Sequence, residues 1–244
     1  SGRAALAFDS AGGRLFFMND SNDTLYEIDA DDGTVINSNV ITSPVATSPQ
    51  VFDGLAYRSG MVYILDITAE TIPGQAEDQN ANPTIPQILD PPEILVVDVA
   101  SGTVVDTLNL VGTGEGTEPP GANPAGTFVD ITGGLAMINP SSSWSSRLLL
   151  LDDSGQTVHE ISRSSGASTT FYTLLSAMVG NIDAVGAHDG QVWLGGGSGE
   201  DRVEIFDRGD VNIDRTLNLT PNPPPTYSLT AIGADDNDMA ASDT

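Results

Sequence analysis

Apolar residues in this chain come in short runs, alternating or continuous, and each run stops at a cluster of Asp, Asn, Gly or Ser. The clearest unit is a run ending in Asp, a tight turn and a second run. It reads TLYEIDADDGTVINS at 24–38, EILVVDVASGTVVDTLNL at 93–110, RLLLLDDSGQTVHEIS at 147–162 and RVEIFDRGDVNIDRTLNL at 202–219. Period-two alternation predicts a strand covered on one face, and a short unbroken apolar run predicts one covered on both. Asp29, Asp98, Asp152 and Asp207 align at the turn, spaced by 69, 54 and 55 positions. Asp suits this place because its carboxylate can accept a backbone N–H two residues on, while a nearby Gly supplies positive φ.

A second hairpin precedes each of these. The segments are ALAFDSAGGRLFFMND at 5–20, DGLAYRSGMVYILD at 53–66, FVDITGGLAMINP at 128–140 and IDAVGAHDGQVWLGG at 182–196. Small residues fill the first strand of each pair and bulky apolar residues the second. A fifth such pair, LTAIGADDNDMAASD at 229–243, has no partner after it. Every full unit is thus a four-strand meander, and a lone four-stranded sheet cannot bury both faces. Repetition about an axis does bury them, which predicts an all-β fold, a β-propeller of four-stranded antiparallel blades. The pattern places four complete repeats at approximately 3–42, 51–111, 126–163 and 181–220, and half of a fifth at 227–244, within a single domain over 1–244. Because the sequence stops inside a repeat, the expectation is a piece of a larger ring, or a blade completed by a second chain. The segment TFYTLLSAMVG at 170–180 reads as a strand or a short helix.

Three connections are long: 68–93, the Gly- and Pro-rich 111–126, and 220–226 with Pro221, Pro223, Pro224 and Pro225. Long loops on a rigid scaffold are the usual carriers of binding residues, and 68–93 is the preferred candidate.

Charge narrows the partners. The chain carries 34 acidic residues against 8 Arg and no Lys, a net charge of −26. Such a surface repels nucleic-acid backbones and anionic membranes and favours cations or cationic partners. No run is long enough to span a membrane. With no Cys, disulfides and thiolate metal sites are excluded. An acidic, Lys-free and Cys-free composition favours an exported protein, whether secreted, periplasmic or held at a cell surface.

Two groups of carboxylates are candidate calcium ligands, since Ca²⁺ takes six to eight oxygens. The first is a surface stretch, NDSNDT at 19–24 with DADDG at 29–33, offering Asp20, Asp23, Asp29 and Asp31. Hairpin capping competes as the explanation for Asp29 and Asp31. The second lies where inner strands would converge. Counting back from each inner turn selects Ala5, Asp53, Thr127, Asp183 and Thr230, so Asp53 and Asp183 could meet near the axis. There they could bind a cation, divide acid and base roles, or simply cap strand ends.

Nucleophilic catalysis finds little support. His159 and His188 are the only histidines, one placed in an outer strand and the other at an inner turn, and no G-x-S-x-G elbow occurs. Asn19, Asn22 and Asn218 fit the N-x-S/T rule, which matters only in a eukaryotic secretory setting.

The unit formed by a small-residue strand, a Gly turn, LFFMND at 15–20 and LYEIDADDGTV at 25–35 resembles bacterial propellers with NHL, YVTN or lactonase-like repeats. The resemblance covers nearly the whole chain and rests on structural motifs. It implies either a lactonase- or phosphatase-like enzyme or a cell-surface binding module. In calcium-dependent lactonase-type members, Glu, Asn and Asp ligands surround the axis; Asp53 and Asp183 are the comparable positions here, and no ligating Glu is evident. Two readings follow. One is a non-catalytic extracellular binding or structural propeller that presents acidic loops to a protein, a polysaccharide or a neighbouring subunit, including self-assembly through the incomplete blade. The alternative is a divalent-cation-dependent hydrolase, lactonase- or phosphatase-like, acting at the central channel.

Overall fold

The computed structural model describes residues 4–42, 52–66, 93–110, 131–138, 147–152, 157–176, 178, 182–188, 190–196, 202–208 and 212–218. Among the described residues sixteen strands form four antiparallel sheets of four, the blades of a β-propeller. Blade 1 holds β1 (Ala4–Asp9), β2 (Arg14–Asn19), β3 (Thr24–Asp29) and β4 (Val35–Val40). Blade 2 holds β5 (Phe52–Arg58), β6 (Met61–Asp66), β7 (Glu93–Asp98) and β8 (Thr103–Asn109). Blade 3 consists of β9 (Ile131–Ile138), β10 (Arg147–Asp152), β11 (Thr157–Ser162) and β12 (Ser168–Thr173). Blade 4 consists of β13 (Ile182–His188), β14 (Gln191–Gly196), β15 (Arg202–Asp207) and β16 (Arg215–Asn218). Inner strands pack side by side in chain order, β1 on β5, β5 on β9 and β9 on β13.

Three apolar cores lie between blades rather than within them. The first joins Phe16 and Met18 of blade 1 to Val62, Ile64, Leu95 and Val97 of blade 2. The second joins Tyr63, Leu65, Ile94 and Val96 of blade 2 to Leu148 and Leu150 of blade 3. The third joins Leu149 and Leu151 to Val185, Val192, Leu194 and Phe206 of blade 4. Alternate residues of β6, β7 and β10 therefore serve two different cores. That is why their apolar runs are continuous, whereas a half-exposed sheet would alternate.

Small residues in the inner strands have a matching cause. Pairing aligns Ala7, Ala56, Ala136 and Gly186 opposite the bulky Phe16, Tyr63, Leu149 and Trp193 of the second strands. At Gly54 an added Cβ would lie 2.5 Å from the backbone nitrogen of Leu135, so β5 and β9 approach more closely than any side chain permits. Side-chain bulk is thus moved outward along the blade, and the inner strands crowd together.

The third blade corrects the strand assignment. The sequence pattern predicts a hairpin over 128–140, but residues 131–138 form the single strand β9. Gly134, at φ 116, lies within that strand, so this glycine supplies a positive backbone angle inside β9 rather than a turn; a Cβ there would meet Val185 of β13 at an ordinary 3.5 Å. The hairpin at 147–162 consequently supplies the second and third strands, and the fourth is β12, which resolves the segment from 170 as a strand as far as Thr173. Blade 3 runs through residue 173, beyond the boundary at 163 that the repeat pattern suggested.

Asp152 accordingly ends a second strand and does not belong with Asp29, Asp98 and Asp207, which end third strands. The true equivalent is Ser162. In the β3–β4, β7–β8 and β11–β12 turns a glycine four residues on donates to the last strand carbonyl: Gly33 to Asp29 at 2.9 Å, Gly102 to Asp98 at 2.8 Å and Gly166 to Ser162 at 2.9 Å. In each, the Asp or Ser side chain also accepts the N–H two residues ahead, from Asp31, Ala100 and Ser164. The spacing of four from cap to Gly was legible in the chain. Asp152 breaks it, standing three residues before Gly155, and so does Asp207, which is followed by Gly209 two residues on.

Candidate binding cleft between the first two blades

Arg14 opens β2 and faces the junction of blades 1 and 2. Its Nη2 and Nε donate to Oδ2 of Asp9 at 2.6 and 3.1 Å, and Nη1 donates to Oε1 of Glu27 at 2.7 Å. Nη2 also donates to the Tyr57 hydroxyl of blade 2 at 3.4 Å, and that hydroxyl accepts the Gly60 N–H at 3.1 Å. The Tyr57 ring stacks on Phe16 with centroids 4.9 Å apart, and the guanidinium carbon lies 5.7 Å from the Phe16 centroid. Burial opposes the charge on Arg14, but the hydrogen bonds to Asp9 and Glu27 outweigh it and hold its pKa above the ordinary value. Burial also pushes the Tyr57 phenol up, and Asp9 adds to that shift. The cluster is a clasp whose charged groups all belong to blade 1 and which reaches blade 2 through the Tyr57 hydroxyl; its Asp9 carboxylate is 5% exposed and its guanidinium 29%.

Above this clasp opens a cleft of about 430 Å³. Blade 1 contributes Arg14, Glu27, Ile36 and Asn37; blade 2 contributes Gly60 and the Asp98–Ala100 turn. The volume is within the range of about 300–1,000 Å³ usual for small-ligand sites. One guanidinium stands against the carboxylates of Asp9, Glu27 and Asp98 in and beneath the cleft, a local balance of −2. A β-bulge shapes one wall: β4 pairs Val35 with Ile28 and Asn37 with Glu27, which leaves Ile36 as the extra residue. Bulges re-aim side chains, and this one delivers Ile36 to the cleft. Sequence reading missed the site because its residues come from six separate segments and none carries a motif of its own. Its best signal was the repeated D-x-x-x-G turn.

The predicted calcium ligands divide into separate places. Asp20 accepts the Phe52 N–H at 2.9 Å through Oδ1, tying blade 1 to blade 2. Asp23 sits at φ 52, with its pKa raised by burial and by the neighbouring Asp20 charge. Asp29 ends β3 and Asp31 follows it in the turn, which Asp29 caps by accepting the Asp31 N–H at 2.8 Å. The six residues of β3 separate the two groups by about 17 Å, so the four carboxylates do not share one cluster. Among the described residues no three His, Asp or Glu side chains converge in a way that could hold a metal ion.

Asp53 and Asp183 occupy matched backbone positions. Each is the extra residue of a bulge near the start of an inner strand, between Phe52 and Gly54 in β5 and between Ile182 and Ala184 in β13. Their side chains lie outside the described residues. Ala5 is not in their series, because β1 pairs through this region without a bulge and Ala5 corresponds to Gly54 and Ala184. Both bulges lie at the opposite end of the strands from the cleft. Thr127, Thr230, most of the 68–93 connection, 111–126, 220–226 and the half-repeat at 227–244 fall outside the described residues.

His159 and His188 are far apart in role as well as sequence. His159 is buried in β11, while His188 is exposed at the end of β13 with its ring edge-on to Trp193, centroids 6.2 Å apart. Asn19 and Asn22 lie at the β2–β3 turn, where Asn19 accepts the Ser21 N–H at 3.1 Å and Asn22 donates to the Tyr26 hydroxyl at 3.2 Å.

Comparison with known proteins places the fold and stops there. No protein-family model matches the sequence, and no curated protein matches it. Among solved structures, the glutaminyl cyclase of Myxococcus xanthus superposes with a TM-score of 0.55 at 12% identity, covering 88% of this chain and 69% of that one. U3-55K superposes with a TM-score of 0.50 at 13% identity, covering 96% of this chain and 56% of that one. The WD40 repeats of RRP9 align at 0.49 and 13% identity, again over 96% and 56%. The chain is similar to β-propellers of varied function and spans just over half of U3-55K. No helix among the described residues is long and apolar enough to cross a membrane.

Proposed function

We propose that this chain is a non-catalytic extracellular binding propeller, a cell-surface or secreted module that offers acidic blade surfaces to a protein, a polysaccharide or a neighbouring subunit. The observation that carries this reading is the cleft between blades 1 and 2, a ligand-sized opening with a net negative lining. Its charged groups are committed to one another: Arg14 is neutralised by Asp9 and Glu27, and Asp98 is engaged by Ala100 and Ser101. Groups held in such contacts fix the shape and charge of the surface that a partner meets. The net charge of −26 favours a cationic partner reached by electrostatic steering. Resemblance of the LFFMND and LYEIDADDGTV segments to NHL and YVTN repeats supports export and surface display.

A second reading is favoured by one observation, the matched bulges that carry Asp53 and Asp183 on inner strands. A divalent cation such as calcium held there would support lactone or phosphoester hydrolysis. The two readings separate in one assay series. Chromogenic lactone and phosphoester substrates are incubated with the protein, with added Ca²⁺ and with chelator. Turnover at background in all three, together with saturable, salt-sensitive binding to basic peptides in anisotropy titrations, is the expected outcome. Chelator-sensitive hydrolysis lost in Asp53→Asn and Asp183→Asn would overturn the binding reading.

A further inference from the structure

The outermost strand of blade 1 lacks the devices that keep sheet edges from pairing. Among the described strands β4 is hydrogen-bonded only to β3, leaving its other edge open. Its sequence, VINSNV, holds no charge and no proline. Five large hydrophobic side chains are exposed among the described residues, and three of them, Val35 at 58%, Ile36 at 53% and Val40 at 69%, are on this one strand. Edge strands are ordinarily protected by charge, proline or short length. The equivalent β8 carries Asp106, and β16 is four residues long and begins with Arg215. The outer strand β12, STTFYT, also lacks charge and proline, so it is the exposed Val35, Ile36 and Val40 that single out β4 as the edge to accept another strand.

Its backbone is also poised for exchange. The Ser38 N–H donates to Oδ1 of its neighbour Asn37 at 2.8 Å, so this donor is turned away from β3 and held by a local, neutral side chain. In β8 the same position is held by a charge, the Thr107 N–H donating to Asp106 at 2.9 Å. A carbonyl from an incoming strand can replace the Asn37 amide more readily than it can replace the Asp106 carboxylate, because charge-assisted hydrogen bonds are roughly twice as strong.

We infer that the open edge of β4 takes an extended, basic peptide segment of another protein, which adds as a fifth strand and places an Arg or Lys side chain in the adjoining cleft. Main-chain pairing supplies affinity and the cleft supplies selection, the usual division in strand addition. Ile36 and Asn37 belong to both the edge and the cleft, so one ligand engages them together. The cleft's −2 balance selects a cationic side chain, and Glu27 keeps one carboxylate oxygen beyond the one that Arg14 engages. A second copy of this chain is disfavoured as the occupant because two bodies of charge −26 repel one another.

This inference rests on the binding reading above, and its test separates the two. The probe is a fluorescent peptide of about ten residues alternating Arg with Val, long enough to span a strand. It is titrated against the whole chain alongside three others: the same peptide N-methylated at alternate residues, a Glu-for-Arg version, and the parent in about 0.5 M salt. Saturable binding is expected for the parent, with at least about a tenfold loss on N-methylation and no binding of the Glu version. Ile36→Lys and, independently, Val40→Lys are expected to weaken the parent about tenfold each, since both positions are exposed and their exchange leaves the core intact. Equal binding of the N-methylated peptide, or wild-type affinity in both variants, overturns the inference; the peptide is then merely adsorbed on an acidic surface. A dimer that sediments in the wild type and dissociates in Val40→Lys overturns it in favour of a second copy. Each of these results leaves the non-catalytic reading standing, whereas chelator-sensitive hydrolysis sinks that reading without touching peptide affinity.

Discussion

Replacing Arg14 by Met isolates what the clasp between blades 1 and 2 contributes. Met keeps the aliphatic stem and removes four donated hydrogen bonds, two to Asp9, one to Glu27 and one to Tyr57. Two carboxylates, 5% and 12% exposed, then lose their cation in a poorly solvated place. Breaking a buried ion pair from one side costs about 3–5 kcal/mol. Because the guanidinium is 29% exposed, water recovers part of this, and the lower end, about 3 kcal/mol, is the better figure. Loss of the Arg14–Phe16 contact adds about 0.5–1 kcal/mol. At about 2–4 °C per kcal/mol for a domain of this size, the melting temperature falls by about 7–16 °C. The companion is Arg14→Met with Asp9→Asn and Glu27→Gln, which removes the orphaned charges and should recover at least about half of the loss. Calorimetry on the wild type, the single variant and the triple variant reads both numbers. A drop below about 2 °C, or no recovery in the triple variant, would refute the picture of a buried clasp and make Arg14 an ordinary surface charge.

Four further outcomes follow from the same geometry. Gly33→Ala and Gly166→Ala both force Ala into positive φ, at about 1–2 kcal/mol, but only at Gly166 would the new Cβ lie against a carbonyl, that of Asn109. Chemical denaturation should therefore find Gly166→Ala clearly the worse, and equal losses would mean that the blade 2–blade 3 contact is loose. Arg208→Met removes the bidentate contact to the buried Glu160 of blade 3, at 2.5 and 2.6 Å, and should cost about 3 kcal/mol, with Glu160→Gln in the double variant restoring part of it. Carboxyl NMR should show Asp32 titrating below the usual range, because the Thr34 hydroxyl and N–H bond its ionised form, and Asp23 above it, because of burial and Asp20. The contribution of Asp32 is then present above its unfolded pKa and lost as pH falls through its folded one, while Asp23, with its raised pKa, gains stability as pH falls; the reverse order of midpoints would contradict both environments.

Much of the fold was legible in local chemistry. The hairpins at 5–20, 24–38, 53–66, 93–110, 182–196 and 202–219 all form, because their turns carry the Gly and Asp that such turns require and their strands carry matching apolar runs. The capping explanation for Asp29 was also readable, since its carboxylate and the Asp31 N–H are two residues apart in any such turn. Blade 3 misled for a physical reason. Gly133–Gly134 looks like a turn in one dimension, but Gly134 takes its positive φ of 116 within β9. No local pattern distinguishes a glycine whose positive φ turns the chain from one whose positive φ lies inside a strand.

The cleft and the open edge belong to the other side of that division. Arg14, Glu27, Ile36, Gly60 and Asp98 meet only because blade 2 docks beside blade 1, and docking depends on which alternate residues of β6 and β7 face which neighbour. The sequence by itself determined most of the strands, their grouping into four-strand units and the acidic balance, since those follow from propensity, turn stereochemistry and composition acting over a few residues. Only the tertiary structure decided that Asp152 ends a second strand, that Asp20 and Asp29 stand at opposite ends of β3, and that Arg14 is a clasp rather than a free charge. The first depends on which strands pair within blade 3, the second on the span of β3, and the third on cross-strand partners in blade 1 together with Tyr57 of blade 2, pairings that no one segment encodes alone.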